Sequence, residues 1–371
     1  MSLLFAPLAL RALTLPNRII IAPMCQYSAV DGNASDWHIL HLGQLALSGA
    51  GMLILEATAV APEGRISAGD IGLYSDQNEA ALARVLKIVR TYSAMPIAMQ
   101  VGHAGRKAAS QKPWEGGQQV PPGQPGGWVT MGPSAIPHGA HEVPPLAFDR
   151  AGIREVVEAF AATALRAARL GIDGLEIHAA HGYLLHQFLS PIANKREDDY
   201  GGSLENRMRL PLEIFEAMRA AFPAEKPIWV RVSATDWVEG GWDVEQTIEL
   251  AKALKARGCD AIHVSSGGVS AQQQITLGSG YQVPFAKAIK AATGLPTIAV
   301  GLITEPEQAE GILARGEADA IGIARGILYD PHWPWHAAAK LGAQVEAPPQ
   351  YWRSQPREFK DLFSGARFGQ R

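Results

Sequence analysis

Cysteine is nearly missing from this chain. Its 371 residues hold two, Cys25 and Cys259, too few for a disulfide framework. That scarcity suits a reducing compartment, so a cytoplasmic location is expected. Neither stands in a C-x-x-C pair, which argues against zinc ribbons and dithiol chemistry. An excess of one charge is missing too. With 33 basic and 36 acidic residues the net charge is −3, leaving no basic field for nucleic acid and no acidic tail. No uncharged apolar stretch approaches the ~18 residues of a membrane span. The most apolar segment, 50–62, is interrupted by Glu56. The apolar N-terminus lacks the basic residues that precede a signal-peptide core, since Arg11 follows the apolar run. No internal repeat or low-complexity linker occurs. No G-x-G-x-x-G stands between a strand and a helix, so no resident dinucleotide domain is expected.

What is present is alternation. Short apolar runs at 18–24, 51–60, 95–103, 172–178, 227–234, 260–266, 296–300 and 318–324 read as strands. Several are almost continuously apolar, as parallel strands covered on both faces must be. Amphipathic patterns at 78–92, 151–170, 207–222, 244–257, 284–292 and 305–315 read as helices between them. Gly171 and Gly258 follow two of these as C-terminal caps, and Thr304 precedes Glu305-Pro306 as an N-cap. Serial βα units of this kind predict an α/β (β/α)8 TIM barrel, with a doubly wound open sheet as runner-up. A single barrel commonly runs from about 200 to over 400 residues, so the whole chain 1–371 is read as one domain. Two segments fall outside the alternation. Residues 104–148, rich in Gly, Pro and Trp, form a long excursion after strand three, read as an active-site lid with a small hairpin. Residues 347–371 form a polar tail that carries Tyr351, Trp352 and several arginines.

Barrel chemistry sits at the C-terminal ends of the strands. The glycine-rich ends Ser265-Ser266-Gly267-Gly268, Val300-Gly301 and Ala324-Arg325-Gly326 expose backbone N–H groups beside an arginine, which suits a phosphate. The alternative is that these glycines merely end strands. His178 and His181, with Tyr183 just beyond, admit three readings. They are metal ligands, a pair of donors to a carbonyl oxygen, or structural histidines. A metal site would want a further ligand, for which Glu176 and His103 are the candidates. Arg231, inside a β run, keeps its proton and needs an acceptor. An anionic cofactor edge would serve, as would Glu56 or Glu176. Gln100 offers a donor and an acceptor together, suited to an imide edge or to a core hydrogen bond. Cys25 is either a buried apolar thiol or a weak donor beside a redox centre.

Six stretches in order carry a resemblance: Asn17-Arg18-Ile19 through Ala22-Pro23-Met24-Cys25-Gln26-Tyr27; Glu56-Ala57-Thr58-Ala59-Val60; His103-Ala104-Gly105-Arg106-Lys107; His178-Ala179-Ala180-His181-Gly182-Tyr183-Leu184; Asp199-Tyr200-Gly201-Gly202-Ser203; and Asn206-Arg207. Together they resemble the Old Yellow Enzyme family, in particular its thermophilic-like subclass with the xenobiotic reductases. The resemblance covers nearly the whole chain. It implies a (β/α)8 barrel with tightly bound FMN and NADPH or NADH as a transient co-substrate. It implies a ping-pong ene-reductase acting on enones, enals or maleimides. Ala22, Pro23, Met24, Cys25 and Ala57 would line the flavin and Gln100 would bond its pyrimidine ring. Arg231 would stand near its N1 and O2. Ser266, Gly301, Ala324 and Arg325 would hold the phosphate side. His178 and His181 would grip the substrate carbonyl, with Tyr183 or Tyr27 delivering the proton. No metal is implied. The family's phosphate loop often reads Gly-Arg where this chain has Ala324-Arg325, a change that a backbone contact survives. A homodimer or homotetramer is also implied, in which Trp352 and Arg353 complete a neighbour's site. The competing function is a metal-dependent barrel hydrolase or aldolase built on His178 and His181. A dienoyl-CoA reductase-like enzyme would need an iron–sulfur cysteine cluster that two cysteines do not provide.

Overall fold

Each of the eight apolar runs becomes a strand in a computed structural model of the chain, which describes residues 2–367. In order they are β1 (Ile19–Ile21), β2 (Met52–Ala59), β3 (Ile97–Gly102), β4 (Gly174–Ala179), β5 (Ile228–Ser233), β6 (Ile262–Ser265), β7 (Thr297–Ala299) and β8 (Ala320–Ile323). All pair in parallel, and β8 returns to β1 through the register Ile321↔Ile19, closing the barrel. Eight helices pack outside: α1 (Asp36–Ala46), α2 (Asp76–Tyr92), α3 (Arg150–Arg169), α4 (Leu204–Ala221), α5 (Val244–Ala256), α6 (Val283–Thr293), α7 (Pro306–Ala314) and α8 (Trp333–Leu341).

Strand residues alternate in and out of a barrel. The outward set, including Ile19, Leu53, Met99, Leu175, Val230, Val264 and Ile321, joins the helices in one large apolar cluster. The inward set is graded along the barrel axis. At the N-terminal end Ile20, Met52, Ile54, Ala98, Trp229, Ile298 and Ala320 form a second apolar cluster. It is capped by Leu10 and Leu15 of an antiparallel hairpin, Leu8–Leu10 with Leu13–Leu15. Two residues further along, the inward positions of β3, β4, β5 and β6 turn polar: Gln100, Glu176, Arg231 and His263, all buried.

Several elements differ from the sequence-based expectation. Helix α1, helix α8 and the hairpin were not expected. Helix α8 opens Trp-Pro-Trp, a punctuation that suggests a loop, yet Pro334 lies in its first turn, where no backbone N–H is required. Helix α4 starts at Leu204 rather than Arg207, because Ser203 Oγ accepts from the Asn206 N–H at 3.2 Å. The N-cap of α7 is Glu305, not Thr304, and no side chain caps it. Within residues 104–148, Ser110 and Gln119 pair in an isolated antiparallel bridge, where the Gln111 and Val120 N–H groups donate to the Gln118 and Ala109 carbonyls at 2.8 and 2.6 Å. The one longer ladder there is parallel, Met131 with Leu146 and Gly132 with Ala147. The buried Arg106 side chain anchors this excursion: Nη1 donates to the Ile136 and Pro137 carbonyls at 3.1 and 3.3 Å, and Nη2 to that of Val269 at 2.6 Å.

The tail begins at the opposite end from the strand termini that carry the polar residues. Glu346 to Pro349 border a cleft with Pro16, Gly49, Ala50, Met95 and Pro96, where β2 and β3 start. Trp352 is not free of the core, as expected of the tail. It is half-buried against a small cluster of Trp335, Val345, Leu362 and Phe363, and its indole N–H donates to the Ala347 carbonyl at 3.0 Å. Tyr351 and Arg353 are exposed. Residues 368–371 of the tail lie outside the described residues. No described helix is long and apolar enough to cross a membrane.

Candidate active site

The polar inward layer forms the floor. Glu176 accepts from Gln100 Nε2 at 2.7 Å, Trp229 Nε1 at 2.6 Å and His263 Nδ1 at 2.6 Å. Burial alone would raise its carboxyl, but His263, Arg231 and the Trp229 N–H hold it down at about 2. An ionised carboxylate only accepts, so the Gln100 amide must turn its NH2 towards Glu176. Its Oε1 is left without a protein partner, as an acceptor. Neither carboxylate proposed for Arg231 is spent on it. Glu176 has three other donors, and Glu56 accepts from the Gln26 N–H at 2.9 Å, with His38 Nε2 3.1 Å from its other oxygen but outside hydrogen-bond geometry. Arg231 Nε is buried without a hydrogen-bond partner, a costly state unless something else supplies an acceptor. An imide with neighbouring carbonyl oxygens fits this pair: its N–H to Gln100 Oε1, an oxygen to Arg231. FMN carries that edge.

The histidine pair stands where β4 ends. His178 is the penultimate residue of β4, and the chain turns at once into a short helix, Leu184–Leu189. His181 takes a left-handed backbone, φ +57°, unusual for a side chain with a Cβ. Gly182 follows at φ +74°, and a Cβ there would lie 2.1 Å from the Gly268 carbonyl oxygen. The turn is fixed from several sides. The His181 N–H donates to Ser233 Oγ at 2.9 Å, and Lys107 Nζ donates to the His181 carbonyl at 2.8 Å. The Gly182 N–H donates to His186 Nδ1 at 2.9 Å, while His186 Nε2 donates to Asp236 Oδ1 at 2.7 Å; both side chains are fully buried.

The rings of His178 and His181 meet edge to face at 5.2 Å, and Tyr183 lies 5.0 Å from His178 in the same manner. Burial, with Arg231 adding to it, holds both imidazoles well below the usual histidine range. They are neutral near pH 7. Burial likewise pushes the Tyr183 phenol well above its usual value, so it keeps its proton. The site therefore offers two neutral N–H donors and a protonated phenol.

After β1, residues Pro23 to Ser28 run half-buried over the same face, with Tyr27 at φ +52°. Glu56 holds this loop through the Gln26 N–H. Burial pushes the Cys25 thiol well up, aided by Asp70 and Glu56, so it is a thiol and not a thiolate. Both cysteines are free. Asp70, pushed up to about 6 by burial, is a buried carboxyl beside it.

Gly301, Ala324 and Arg325 line a cavity of about 180 Å3 together with Arg231, Ser265, Tyr281 and Gln282. Gly301 has φ +118°, and a Cβ there would stand 2.9 Å from Gln282 Nε2. The Ser266 hydroxyl is directed elsewhere, donating to Gln282 Oε1 at 2.7 Å. Tyr281, Gln282 and the His186–Asp236 pair were not singled out from the sequence; Glu176 entered there as a candidate metal ligand or partner of Arg231, and Ser265 as part of a glycine-rich strand end.

The metal reading finds little here. Among the described residues, the one group of three ligating side chains within 4.8 Å of one another is Cys25, Glu56 and Asp70. Neither His178 nor His181 belongs to it. His103 Nδ1 accepts from the Gly105 N–H at 3.0 Å, and Glu176 is fully engaged.

Comparison with known proteins places the chain in a family. Residues 3–344 match the NADH:flavin oxidoreductase / NADH oxidase family. NADPH dehydrogenase of Geobacillus thermodenitrificans is 42% identical over 354 residues, covering 95% of this chain and 98% of its own. Morphinone reductase superposes with a TM-score of 0.76 at 30% identity, covering 99% of this chain and 94% of its own. A 2-naphthoyl-CoA reductase gives a TM-score of 0.81 at 25% identity over 92% of this chain. This chain spans 52% of that longer protein.

Proposed function

The chain belongs to the NADH:flavin oxidoreductase / NADH oxidase family, the Old Yellow Enzyme family, and from that premise we propose that it reduces activated alkenes (enones, enals or maleimides) by a ping-pong cycle. It is an oxidoreductase that uses FMN with NAD(P)H. FMN, when bound, would supply hydride transfer between the nicotinamide and the alkene β carbon. The chain's own residues do the rest. Gln100 Oε1 and the Arg231 guanidinium hold the imide edge from the barrel floor. Ala22, Pro23, Met24, Cys25 and Ala57 would line the ring, while Gly301, Ala324 and Arg325 would hold the phosphate end, with Ser266 contributing through its backbone because its hydroxyl is committed to Gln282. His178 and His181 donate to the carbonyl oxygen and withdraw charge from it as the β carbon is attacked. Donors of this kind strengthen as an oxyanion develops. Tyr183, or Tyr27 from the opposite loop, gives a proton to the α carbon, and both phenols are protonated at neutral pH.

One observation carries the proposal: two neutral imidazoles stand ring against ring beside a phenol that keeps its proton. The direct test is anaerobic. The enzyme is reduced with NADPH and then mixed with 2-cyclohexenone. Return of the oxidised flavin spectrum, with cyclohexanone as product, is the expected result. A flavin that stays reduced would rule out this substrate class.

The assembly belongs to the same proposal: a homodimer or homotetramer in which Trp352 and Arg353 complete a neighbouring site. Arg353 is exposed, and its tail leaves from the end of the barrel away from His178 and His181. His181→Ala and Arg353→Ala proteins are mixed under subunit exchange. One site of a mixed dimer then carries both defects and the other neither, so activity rises above either parent. Exchange with mere averaging of activity overturns the shared site.

A further inference from the structure

We propose that Ser265 is a positioning residue that decides which nitrogen of His181 carries the proton, granted that the two imidazoles grip a substrate oxygen. A neutral imidazole has one N–H, and the other nitrogen is a lone pair. Two histidines can donate to one oxygen only if each carries its proton on the nitrogen that faces it. For His178 the backbone settles the matter. Its Nδ1 accepts from the Ala180 N–H at 3.3 Å, so its proton is on Nε2.

For His181 a side chain must do so. Nε2 lies 2.7 Å from Ser265 Oγ, and Nδ1 has no protein partner among the described residues. If the serine donates, Nδ1 carries the proton and is free to donate in turn. If the serine accepts, Nδ1 presents a lone pair, which repels a carbonyl oxygen. The competition for the serine proton favours the first arrangement, since His181 Nε2 is the nearer acceptor at 2.7 Å. The other outlet for the serine proton, Gln282 Oε1, is 3.3 Å away and already accepts from Ser266 Oγ at 2.7 Å. Ser266 thus takes one of that oxygen's two lone pairs and leaves it the longer and weaker of the two acceptors for the Ser265 proton.

The ring itself does not depend on Ser265 for its place. Ser233, Lys107 and the turn against Gly268 hold the His181 backbone, and β5–β6 pairing sets Ser265 opposite Ser233. Removing the hydroxyl should therefore free the tautomer and leave the histidine where it is.

The test reads the proton directly. The FMN-loaded enzyme is prepared with 15N-labelled histidine, and His181 is assigned by its loss in His181→Ala. Expected in the native enzyme is a protonated Nδ1 and an unprotonated Nε2. Ser265→Ala should move His181 towards the Nε2–H form and slow 2-cyclohexenone reduction about tenfold, short of the ~10²–10³ lost with an entire donor. Ser265→Thr, which keeps the hydroxyl, should restore both signals. An Nε2–H tautomer in the native enzyme overturns the proposal, whatever the variants do. So does a slowed Ser265→Ala enzyme whose His181 tautomer is unchanged. Failure to reduce 2-cyclohexenone at all would instead remove the proposed substrate class, while the native tautomer would still decide the role of Ser265.

Discussion

The two ends of the barrel interior are built from the same eight strands and obey opposite rules. At the N-terminal end every inward side chain of the cluster is apolar apart from the Trp229 N–H, and that group is satisfied by Glu176. A hairpin seals it. At the C-terminal end the inward groups are Arg231, His178 and Ser265, Arg231 Nε lacks a partner, and two neighbouring residues, Tyr27 and His181, hold left-handed backbones. The first end contributes stability. The second stores unsatisfied polarity and strain that the rest of the fold must offset. A site can be this unfavourable only because the other end is so plain.

That contrast can be broken. Leu15→Ala at the sealed end removes a fully buried side chain and should cost about 2–5 kcal/mol of stability. Unfolding in denaturant measures this, and turnover per folded enzyme should be unaltered. A large kinetic change would mean the two ends are coupled. At the open end, His178→Ala or His181→Ala should cost roughly 2.7–4 kcal/mol in the transition state for enone reduction. Flavin content and unfolding midpoint should hardly move. Native oxidative rates in both variants would make these histidines structural.

Acid sharpens the comparison further. Burial lowers His103 to about 4, against roughly 6.5 in the unfolded chain. Between these values the unfolded state binds the extra proton, so stability falls as pH drops from about 6.5 to 4, by at most ~1.4 kcal/mol per pH unit for this one group. Asp70, raised to about 6, acts in the opposite sense between about 4 and 6. His103→Gln should flatten the acid limb measured by thermal unfolding, and an unchanged slope would contradict the assignment. The smallest effect is expected at Cys25, a protonated thiol in the loop after β1. Cys25→Ala should shift the flavin potential by roughly 30 mV, or about 1.4 kcal/mol for a two-electron couple, while turnover stays measurable. Complete inactivation with flavin retained would assign the thiol a chemical role instead.

Much of the barrel was legible because its signals are local. Strand runs are short and apolar, and glycines such as Gly171 and Gly258 end helices with the positive φ expected of them. Helix α1 was missed because its stripe is broken by His38, His41 and Gly43, and α8 because Pro334 looks like a stop. In the site, His178 and His181 stood out because two histidines and a tyrosine cluster at the end of one strand. The groups that hold them did not. Asp236 is 50 residues from His186, and Ser265 is 84 from His181. One signal was available. Reading β6 with a period of two places His263 and Ser265 on the same inward face, next to Arg231 and Ser233 of β5.

The Arg106 clamp has a consequence for how this protein can diversify. One side chain gathers the Ile136 and Pro137 carbonyls and that of Val269, and Lys107 beside it reaches the carbonyls of His181 and Gly268. Residues 108–135 leave and return beside that knot and are tied down again along their length: Ser110 Oγ donates to the Ile66 carbonyl, Trp128 Nε1 to that of Glu63, and Ser134 Oγ accepts from the Lys195 N–H. Between those ties the exposed stretches 113–118 and 121–126 can change while Lys107 keeps the turn at His181 in place. Those two stretches are graft sites: the shape of the entrance can be rewritten there while the reacting groups are inherited intact.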